Sequence, residues 1–468
     1  MTRTPSPLVP SEPRGAVGGG AAAPGATTPS TSAGTGAPGT PSPEPAEPRR
    51  GPLATYAELP RLAGKAFLPV AFLARLPFSM ITIGTLLLVS TTTGSLALGG
   101  LASAAAAVGT ALGGPTQGSL ADRAGQRPVL LVVVPLNVLA VLALVQAASA
   151  EASPGVILGA AALVGAFAPQ VGPLARVRWI AMTKHRPRTL LAAMGYESTA
   201  DEIGFVLGPA LVGILASVWS PQAAMLVAAA VCAVFGLAFA LHPTAPPGAP
   251  RPTAAAQAAA GLDAHGSFVG LFRRVLVPVL GMLAMGMLFG STQTAVTSFM
   301  RDAGAEEQAG LVYAVLGFGS AITALAVVAL PAGFGARSRW VSFAAGLTVT
   351  AILMFLAGGS GSLGTLIGAL ALFGLFVGPV MVTIFTVGGD LSPRSRSGAA
   401  MTMLASANVV GVALGASVGG QVAEGAGTAA AFALPAVAAA LLLVTGLSLR
   451  SRRATVDTTV LPTPPGVV

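Results

Sequence analysis

Residues 190–218 read LLAAMGYESTADEIGFVLGPALVGILASV. At ~1.5 Å per helical residue, this stretch is long enough to cross ~30 Å of membrane hydrocarbon. It nevertheless carries Glu197, Asp201 and Glu202. A carboxylate at the centre of a spanning helix costs ~2.5–3.5 kcal/mol to insert, so three in one helix indicate a specific role.

The acidic residues follow helical spacing. Glu197 and Asp201 lie one turn apart, and Gly204 and Gly208 continue the same face. Glu202 is turned about 100° away from this face. We therefore expect the face to contact another helix or a water-filled cavity and to avoid lipid.

The glycines of the same stretch form a motif with a proline. Its members are Gly195, Gly204, Gly208, Pro209 and Gly213. The motif resembles the fifth-helix antiporter motif of drug:proton exporters in the major facilitator superfamily, with Val212 in place of the first of two adjacent glycines. A close-packed helix contact is the alternative interpretation, because many membrane proteins use GxxxG-type spacing. Under both interpretations Pro209 bends the helix, since it cannot donate to the carbonyl of Phe205.

Composition places the whole chain in a membrane. The 468 residues are 53% hydrophobic and 9% charged, with a mean hydropathy of +0.79. The net charge of +9 arises from short basic clusters between apolar runs, which is a membrane-topology pattern and does not indicate nucleic acid binding. Cys232 is the single cysteine, so neither a disulfide nor a thiolate metal site is expected.

Twelve apolar segments predict an all-α membrane protein with twelve transmembrane helices in two six-helix bundles, the major facilitator fold that the resemblance implies. The segments are 66–90, 94–115, 129–148, 155–178, 189–217, 222–242, 275–299, 308–331, 340–358, 362–388, 396–421 and 427–449. The predicted domains are a disordered tail (1–64), the first bundle (65–242), a cytoplasmic linker (243–270), the second bundle (271–450) and a cytoplasmic tail (451–468). Proline-rich composition without apolar periodicity marks the tail and the linker.

The basic residues predict the orientation. Of the 25 Lys and Arg residues, all except Arg75 and Arg301 fall in segments that share one side of the membrane. Both termini are therefore expected to be cytoplasmic, in a protein of the plasma membrane.

A repeated pair of dipeptides supports two related halves. Gly172-Pro173 is expected to close one helix and Pro187-Arg188 to open the next, and Gly378-Pro379 and Pro393-Arg394 repeat this order in the second half. Both copies run in the same direction, as in a parallel repeat.

A loop signature lies between the second and third segments. It comprises Gly118, Asp122, Arg123, Gly125 and Arg127, with Gln126 where a base is common. It resembles the cytoplasmic 2–3 loop signature of the major facilitator superfamily, which implies a conformational latch. Asp122 can pair with bases or with the positive N-terminus of a facing helix, and so hold the two halves in one orientation.

Arg75 and Glu197 have matching depths. Each lies eight residues into its segment, ~12 Å from the same membrane face. Because pairing makes ionised groups tolerable in apolar surroundings, we expect Arg75 to pair with Glu197 or Asp201. The alternative is that Arg75 extends to the cytoplasmic interface.

Proton coupling requires a carboxylate that changes charge near neutral pH. Asp201 is the first candidate and Glu202 the second, with Glu197 and Arg75 as partners.

The family's fourth-helix signature has an arginine where this chain has Phe167. In the family, helices one, four, seven and ten line the cavity, which implies Gln170, Gln293 and Thr383 as cavity residues; each could equally form a helix–helix hydrogen bond. Small residues are expected to form the contact between the halves, namely Gly99, Ser103, Ala107, Gly411, Gly415 and Gly419.

These features predict a secondary transporter that exports a small hydrophobic or drug-like molecule in exchange for protons by alternating access. The alternatives are a metabolite importer or facilitator of the same fold, and a receptor or scaffold that does not transport. The sequence contains no catalytic constellation, no metal site and no GxxxxGK[ST] motif, so an enzyme is not expected. Residues 359–364 match GxGxxG, but they lie in a predicted outside loop with no strand before it, so no cofactor is expected there. The expected partners are the small-molecule substrate, protons and the lipid bilayer, and the chain is expected to act as a monomer.

Overall fold

The computed structural model describes residues 51–183, 186–248, 268–331 and 333–449. Over these residues it contains twelve helical segments that are long and apolar enough to cross a membrane. In the first half they are α1 (Phe67–Thr93), α2 (Leu96–Ala124), α3 (Gln126–Ser149), α4 (Pro154–Met182), α5 (Pro187–Val218) and α6 (Pro221–Leu241). In the second half they are α7 (Phe268–Asp302), α8 (Ala309–Ala329), α9 (Ala336–Gly359), α10 (Leu363–Leu391), α11 (Ser397–Ala426) and α12 (Thr428–Ser448).

The predicted fold class and number of segments are confirmed. Successive segments alternate in direction, so α1 begins and α12 ends at one face, which we call the terminal face. α2 continues nine residues beyond its predicted end at residue 115 and reaches Ala124. Hydropathy missed this end because glycines and polar residues dilute the apolar run there.

Two short helices, Pro52–Tyr56 and Leu59–Ala63, precede α1. The predicted disordered tail (1–64) includes both, so ordered structure begins earlier than composition suggested. The helices are ordered because Leu59 and Ala63 are buried against Phe67 of α1. Residues 1–50, most of the predicted linker and the predicted C-terminal tail lie outside the described residues.

α4 is broken in its middle. It consists of the helices Pro154–Ala166 and Val171–Met182. Pro169 and Pro173 lie four residues apart, and each lacks the N–H that would bond to the preceding turn. The Gln117 amide of α2 satisfies the freed backbone by donating to the carbonyls of Ala166 and Ala168, both at 3.0 Å.

The repeated dipeptides therefore do not close helices as expected. Pro173 lies in the first turn after the α4 break, whereas Gly378-Pro379 lies inside the continuous helix α10. Pro187 does begin α5, as predicted. The two halves resemble each other in order, but the break in α4 has no counterpart in α10.

Glycines bring helices of the same half into backbone contact. A methyl group on Gly411 of α11 would lie 2.2 Å from the Leu283 carbonyl oxygen of α7, and Gly415 is equally tight against Met287. Gly419 also faces α7, at Thr294. The expectation that these glycines of α11 form the contact between the halves is wrong, because spacing predicts a close-packing face but not its partner.

The same correction applies to α2. A methyl group on Gly99 would lie 2.8 Å from the Leu86 carbonyl oxygen of α1. The Ser103 hydroxyl donates to the Thr82 carbonyl of α1 at 3.2 Å. Both residues therefore join α2 to α1 within the first half.

Substitution of Gly165 tests this packing. A methyl group there would lie 1.8 Å from the Ala106 carbonyl oxygen, whereas Gly159 of the same helix has nothing within 4 Å. Gly165→Ala should lower the melting temperature in detergent by several degrees, because overpacking costs about 1–3 kcal/mol. Gly159→Ala is the matched control and should leave the melting temperature unchanged or slightly higher, since alanine favours helix. Equal melting temperatures for the two variants would contradict the close α2–α4 contact.

Candidate functional site

A cavity lies between the two halves near the middle of the membrane segments. In the first half α1, α4 and α5 contribute to its wall, and in the second half α7, α10 and α11 do so. It contains about 840 Å³ of empty space, including the part open to solvent. Its charged lining residues are Arg75, Arg176, Asp201 and Glu202.

Arg75 of α1 joins two carboxylates of α5. Its guanidinium is hydrogen-bonded to the Glu197 carboxylate and donates to Asp201 Oδ1 at 2.9 Å. It also donates to the Glu197 carbonyl at 3.1 Å and to the Ala71 carbonyl at 3.2 Å. Arg75 thus pairs with both predicted acids and does not extend to the membrane surface.

Glu197 is fully enclosed. Its second carboxylate oxygen accepts a hydrogen bond from the Trp179 indole of α4 at 2.7 Å. With Arg75 on one oxygen and Trp179 on the other, Glu197 has a partner for each. It therefore connects α1, α4 and α5 behind the cavity wall.

Asp201 lies between two arginines. Its Oδ2 accepts from Arg176 of α4 at 2.8 Å, and its side chain is 23% exposed, compared with 1% for Arg176 and 5% for Arg75. The cluster therefore presents a carboxylate to the cavity and keeps the guanidinium groups behind it. We call Arg75, Arg176, Glu197 and Asp201 the charge cluster.

Sequence reasoning missed Arg176. We counted it among the basic residues of a cytoplasmic loop, yet it is fully buried and its guanidinium carbon lies 3.8 Å from the centre of the Phe385 ring of α10. A cation over an aromatic face is stabilised by the ring quadrupole. The charge cluster thus also contacts the second half. The sequence did contain a signal for Arg176: it is a charged residue inside the predicted segment 155–178, shortly after Gln170–Pro173.

Glu202 faces a different neighbour from the other two acids. Its Oε1 accepts a hydrogen bond from the Ser320 hydroxyl of α8, in the second half. Its Oε2 is buried and has no hydrogen-bond partner among the described residues. The 100° turn away from Glu197 and Asp201 accounts for this separation.

The glycine motif of α5 serves more than one contact. A methyl group on Gly208 would lie 2.2 Å from the Ser79 hydroxyl of α1, and Gly195 would meet the Ala324 carbonyl oxygen of α8 at 2.7 Å. Gly204 and Gly213 have nothing within 4 Å. Close packing therefore requires glycine at two of the four motif positions.

The predicted cavity residues separate into two groups. Gln170 lines the cavity beside the α4 break. Gln293 is exposed, and Thr383 is buried with its hydroxyl bonded to the Pro379 carbonyl of its own helix, so neither belongs to the cavity wall. The family resemblance correctly predicted that α7 and α10 contribute to the cavity wall. Isolated polar residues could not show which face of each helix is turned toward the cavity. Asn408 of α11 lines the cavity as well.

Asp122 joins the halves at the terminal face. Its two carboxylate oxygens accept from the backbone N–H groups of Gly398 and Ala399, each at 2.8 Å, at the N-terminus of α11. An anion is favoured there by the helix dipole and by the unpaired N–H groups. Gly118 allows this approach, because a methyl group on it would lie 2.4 Å from the Gly398 carbonyl oxygen. The side chains of Arg123 and Arg127 are exposed.

Buried Arg178 supports the turn that follows Asp122. Its guanidinium donates to Gln126 Oε1 at 2.8 Å, to the Phe239 carbonyl at 2.9 Å and to the Thr244 hydroxyl at 3.1 Å. It thereby joins α3, α4, α6 and the segment after α6. Burial and the neighbouring Arg178 charge lower the pKa of His242, whose Nδ1 lies 2.9 Å from Thr244 Oγ1.

Several hydrogen bonds join the halves at the cavity or between it and the terminal face. Besides those of Asp122 and Glu202, Tyr56 donates to the Leu325 carbonyl at 2.7 Å and Thr199 to the Ala321 carbonyl at 3.1 Å. Ser406 of α11 bonds to the Thr110 carbonyl at 3.4 Å. The terminal side of the cavity is therefore closed.

The model of the Major Facilitator Superfamily matches this chain over residues 67–402 and 305–466. The chain belongs to the major facilitator superfamily. It is a transporter of that superfamily and a multi-pass membrane protein. No curated protein matches it.

Solved structures share the fold of this transporter. It is similar to the human organic anion transporter MFSD10 (TETRAN) at 20% identity and a TM-score of 0.61, covering 82% of this chain and 98% of that one. FucP, the E. coli fucose:proton symporter, in the outward conformation is 15% identical with a TM-score of 0.60, covering 81% and 98%. A bacterial homologue of the iron transporter ferroportin, in an outward-facing state, is 16% identical with a TM-score of 0.63, covering 81% and 97%.

Neutralising Asp122 should open the terminal face of the transporter. Hydrogen bonds to charged groups contribute about 1.5–3 kcal/mol, so Asp122→Asn should shift the ratio of closed to open molecules about ten- to a hundredfold toward the open form. The distance between spin labels at Lys65→Cys and Ser338→Cys, two exposed positions of opposite halves, reports this ratio in a Cys232→Ala background.

Arg123→Gln is the matched control, because it removes a neighbouring exposed charge and no contact between the halves. Its distance distribution should equal that of the parent protein. An Asp122→Asn distribution that also equals the parent would contradict the latch.

Proposed function

We propose that this transporter exports a small amphipathic, drug-like molecule in exchange for protons by alternating access. The observation that carries the proposal is the charge cluster in the wall of a cavity that is otherwise mainly apolar. Buried ionisable groups at membrane depth are costly, and in transporters they mark ion and substrate pathways. Here they lie where the two halves meet.

The cavity wall favours an apolar or amphipathic substrate. Its second-half side is formed mainly by Met282, Phe289, Met381 and Phe385, and Phe205 adds a further ring from α5. Sugars and phosphates require many hydrogen-bonding groups, whereas this wall offers few. Aromatic and methionine side chains adapt to varied apolar shapes.

The closed terminal side supports a direction for the cycle. The distribution of Lys and Arg predicts that the terminal face is cytoplasmic in the plasma membrane. In this conformation the cavity would then be accessible from outside. Release of the hydrogen bonds of Asp122 and Glu202 would allow the halves of one monomer to rock and expose the cavity to the cytoplasm.

Transport driven by a proton gradient tests the proposal. The purified protein is reconstituted in liposomes with an imposed pH gradient, and a library of amphipathic compounds is screened for those whose addition dissipates the gradient. Asp201→Asn should abolish this response at every pH, because it leaves Arg75 and Arg176 with an unbalanced buried charge. Glu306→Gln, which removes an exposed carboxylate paired with Arg301, should retain it.

The proposal would be contradicted if no compound dissipated the pH gradient, or if the Asp201→Asn protein dissipated it as the parent protein does. Uptake of the same compounds without any pH gradient would instead indicate the facilitator that the sequence analysis left open.

A further inference from the structure

Glu202 is a buried carboxyl group whose negative charge, when it is ionised, the charge cluster does not balance. Among the described residues, Arg75 and Arg176 pair with Glu197 and Asp201, so two cations match two anions. Glu202 is only 7% exposed and forms no ion pair with any described residue. An ionised carboxylate in this position would lack a counter-charge.

The residues around Glu202 supply no free positive charge that could balance it. The neighbouring charge on its own helix is Asp201, which is also negative, and α8 contributes Ser320 and Tyr313. The arginines of α1 and α4 direct their ion pairs to Asp201 and Glu197. The cavity residues of α7, α10 and α11 are uncharged.

Glu202 also lies at a contact that must separate when the terminal face opens. We call this α5–α8 contact the seam; it consists of Glu202 with Ser320, Thr199 with Ala321, and Gly195 with Ala324. An unpaired charge in the closed seam is strongly unfavourable, whereas water could solvate it once the seam has opened.

From this arrangement we infer that Glu202 is a proton-binding site and that the seam closes only when its charge is neutralised. The neutralising ligand is a proton or, in exchange for it, the cationic group of an amphipathic substrate. Oε2 of Glu202, which has no partner among the described residues, is the atom that receives either one, and the residue itself lines the cavity. The inference rests on the proposed function and specifies its coupling residue and substrate class.

A seam that closes only around a neutral Glu202 exchanges a cation for a proton. On the open terminal side Glu202 loses its proton to water and attracts a cation, and the seam then closes around the neutral pair. On the other side a proton replaces the cation, and the protonated seam reopens toward the terminal face. An empty, ionised Glu202 cannot close the seam, which prevents an uncoupled proton leak. Asp201 keeps its ion pairs with Arg75 and Arg176 throughout.

The seam can be followed without any known substrate. The spin-label pair at positions 65 and 338 in full-length protein in nanodiscs should show a closed terminal face at about pH 5 and an open one at about pH 9. The closed-to-open ratio should change by up to about tenfold per pH unit, as expected for one linked proton. Adding tetraphenylphosphonium, a lipophilic monovalent cation, at the higher pH should restore the closed distance.

Glu202→Gln is a permanent mimic of the neutral acid and should stay closed at every pH, with or without the cation. Glu306→Gln, at an exposed carboxylate, should behave as the parent protein. An infrared spectrum provides a second measurement: the C=O band of a neutral carboxylic acid should be present in the closed parent protein and lost in Glu202→Gln.

A Glu202→Gln protein that opens with pH as the parent does, or that keeps the neutral-acid band, would overturn the proton site. Failure of tetraphenylphosphonium to close the parent at high pH would overturn the cationic substrate class. These results are independent of the flux assay, so proton-driven transport with a pH-insensitive seam would refute this inference and leave the proposed function intact.

Discussion

The balance of buried charge is the constraint on which the rest of this structure depends. α5 carries three carboxylates at membrane depth, and each can stay there only with a partner. Arg75 and Arg176 supply two of these partners from α1 and α4, and thereby fix how those helices pack against α5. The third carboxylate, Glu202, bonds instead to a hydroxyl of the opposite half. One helix therefore holds a permanent cluster and a variable charge side by side.

The break in α4 and the charge cluster belong together. Two prolines interrupt the helix beside the cavity, and Gln117 of α2 satisfies the exposed backbone. Irregular backbone at membrane depth is tolerated where it is buried in protein or borders a cavity. The second part of α4 then presents Arg176 and Trp179 to α5, within reach of Asp201 and Glu197.

Two kinds of contact close the terminal side. Asp122 at the N-terminus of α11 is a charged contact close to the surface, whereas the seam between α5 and α8 lies deeper. Because both join the same two halves, opening requires both to separate. Their chemistry differs, since Asp122 needs its charge to bind the helix N-terminus, while Glu202 must lose its charge. Protonation therefore favours closure at the deeper contact and opposes it at the outer one.

The sequence predicted the fold well, because runs of apolar residues directly reflect the membrane thickness. It also predicted that Arg75 meets the acids of α5, since charged residues of matching depth in apolar helices must find each other. It could not predict Arg176, which resembles a surface arginine because it lies near the end of an apolar run. Nor could it assign Gly411 and Gly415 to α7, because glycine spacing defines a face of a helix but not the helix that packs there.

A double-mutant cycle on Arg176 and Asp201 tests the charge balance most directly. Melting temperatures would be compared for the parent protein, Arg176→Gln, Asp201→Asn and the double variant. Each single variant should be strongly destabilised because it leaves a buried charge unbalanced, and the double variant should recover much of that loss. Destabilisation that simply adds in the double variant would show that the two charges do not depend on each other, and would contradict the account.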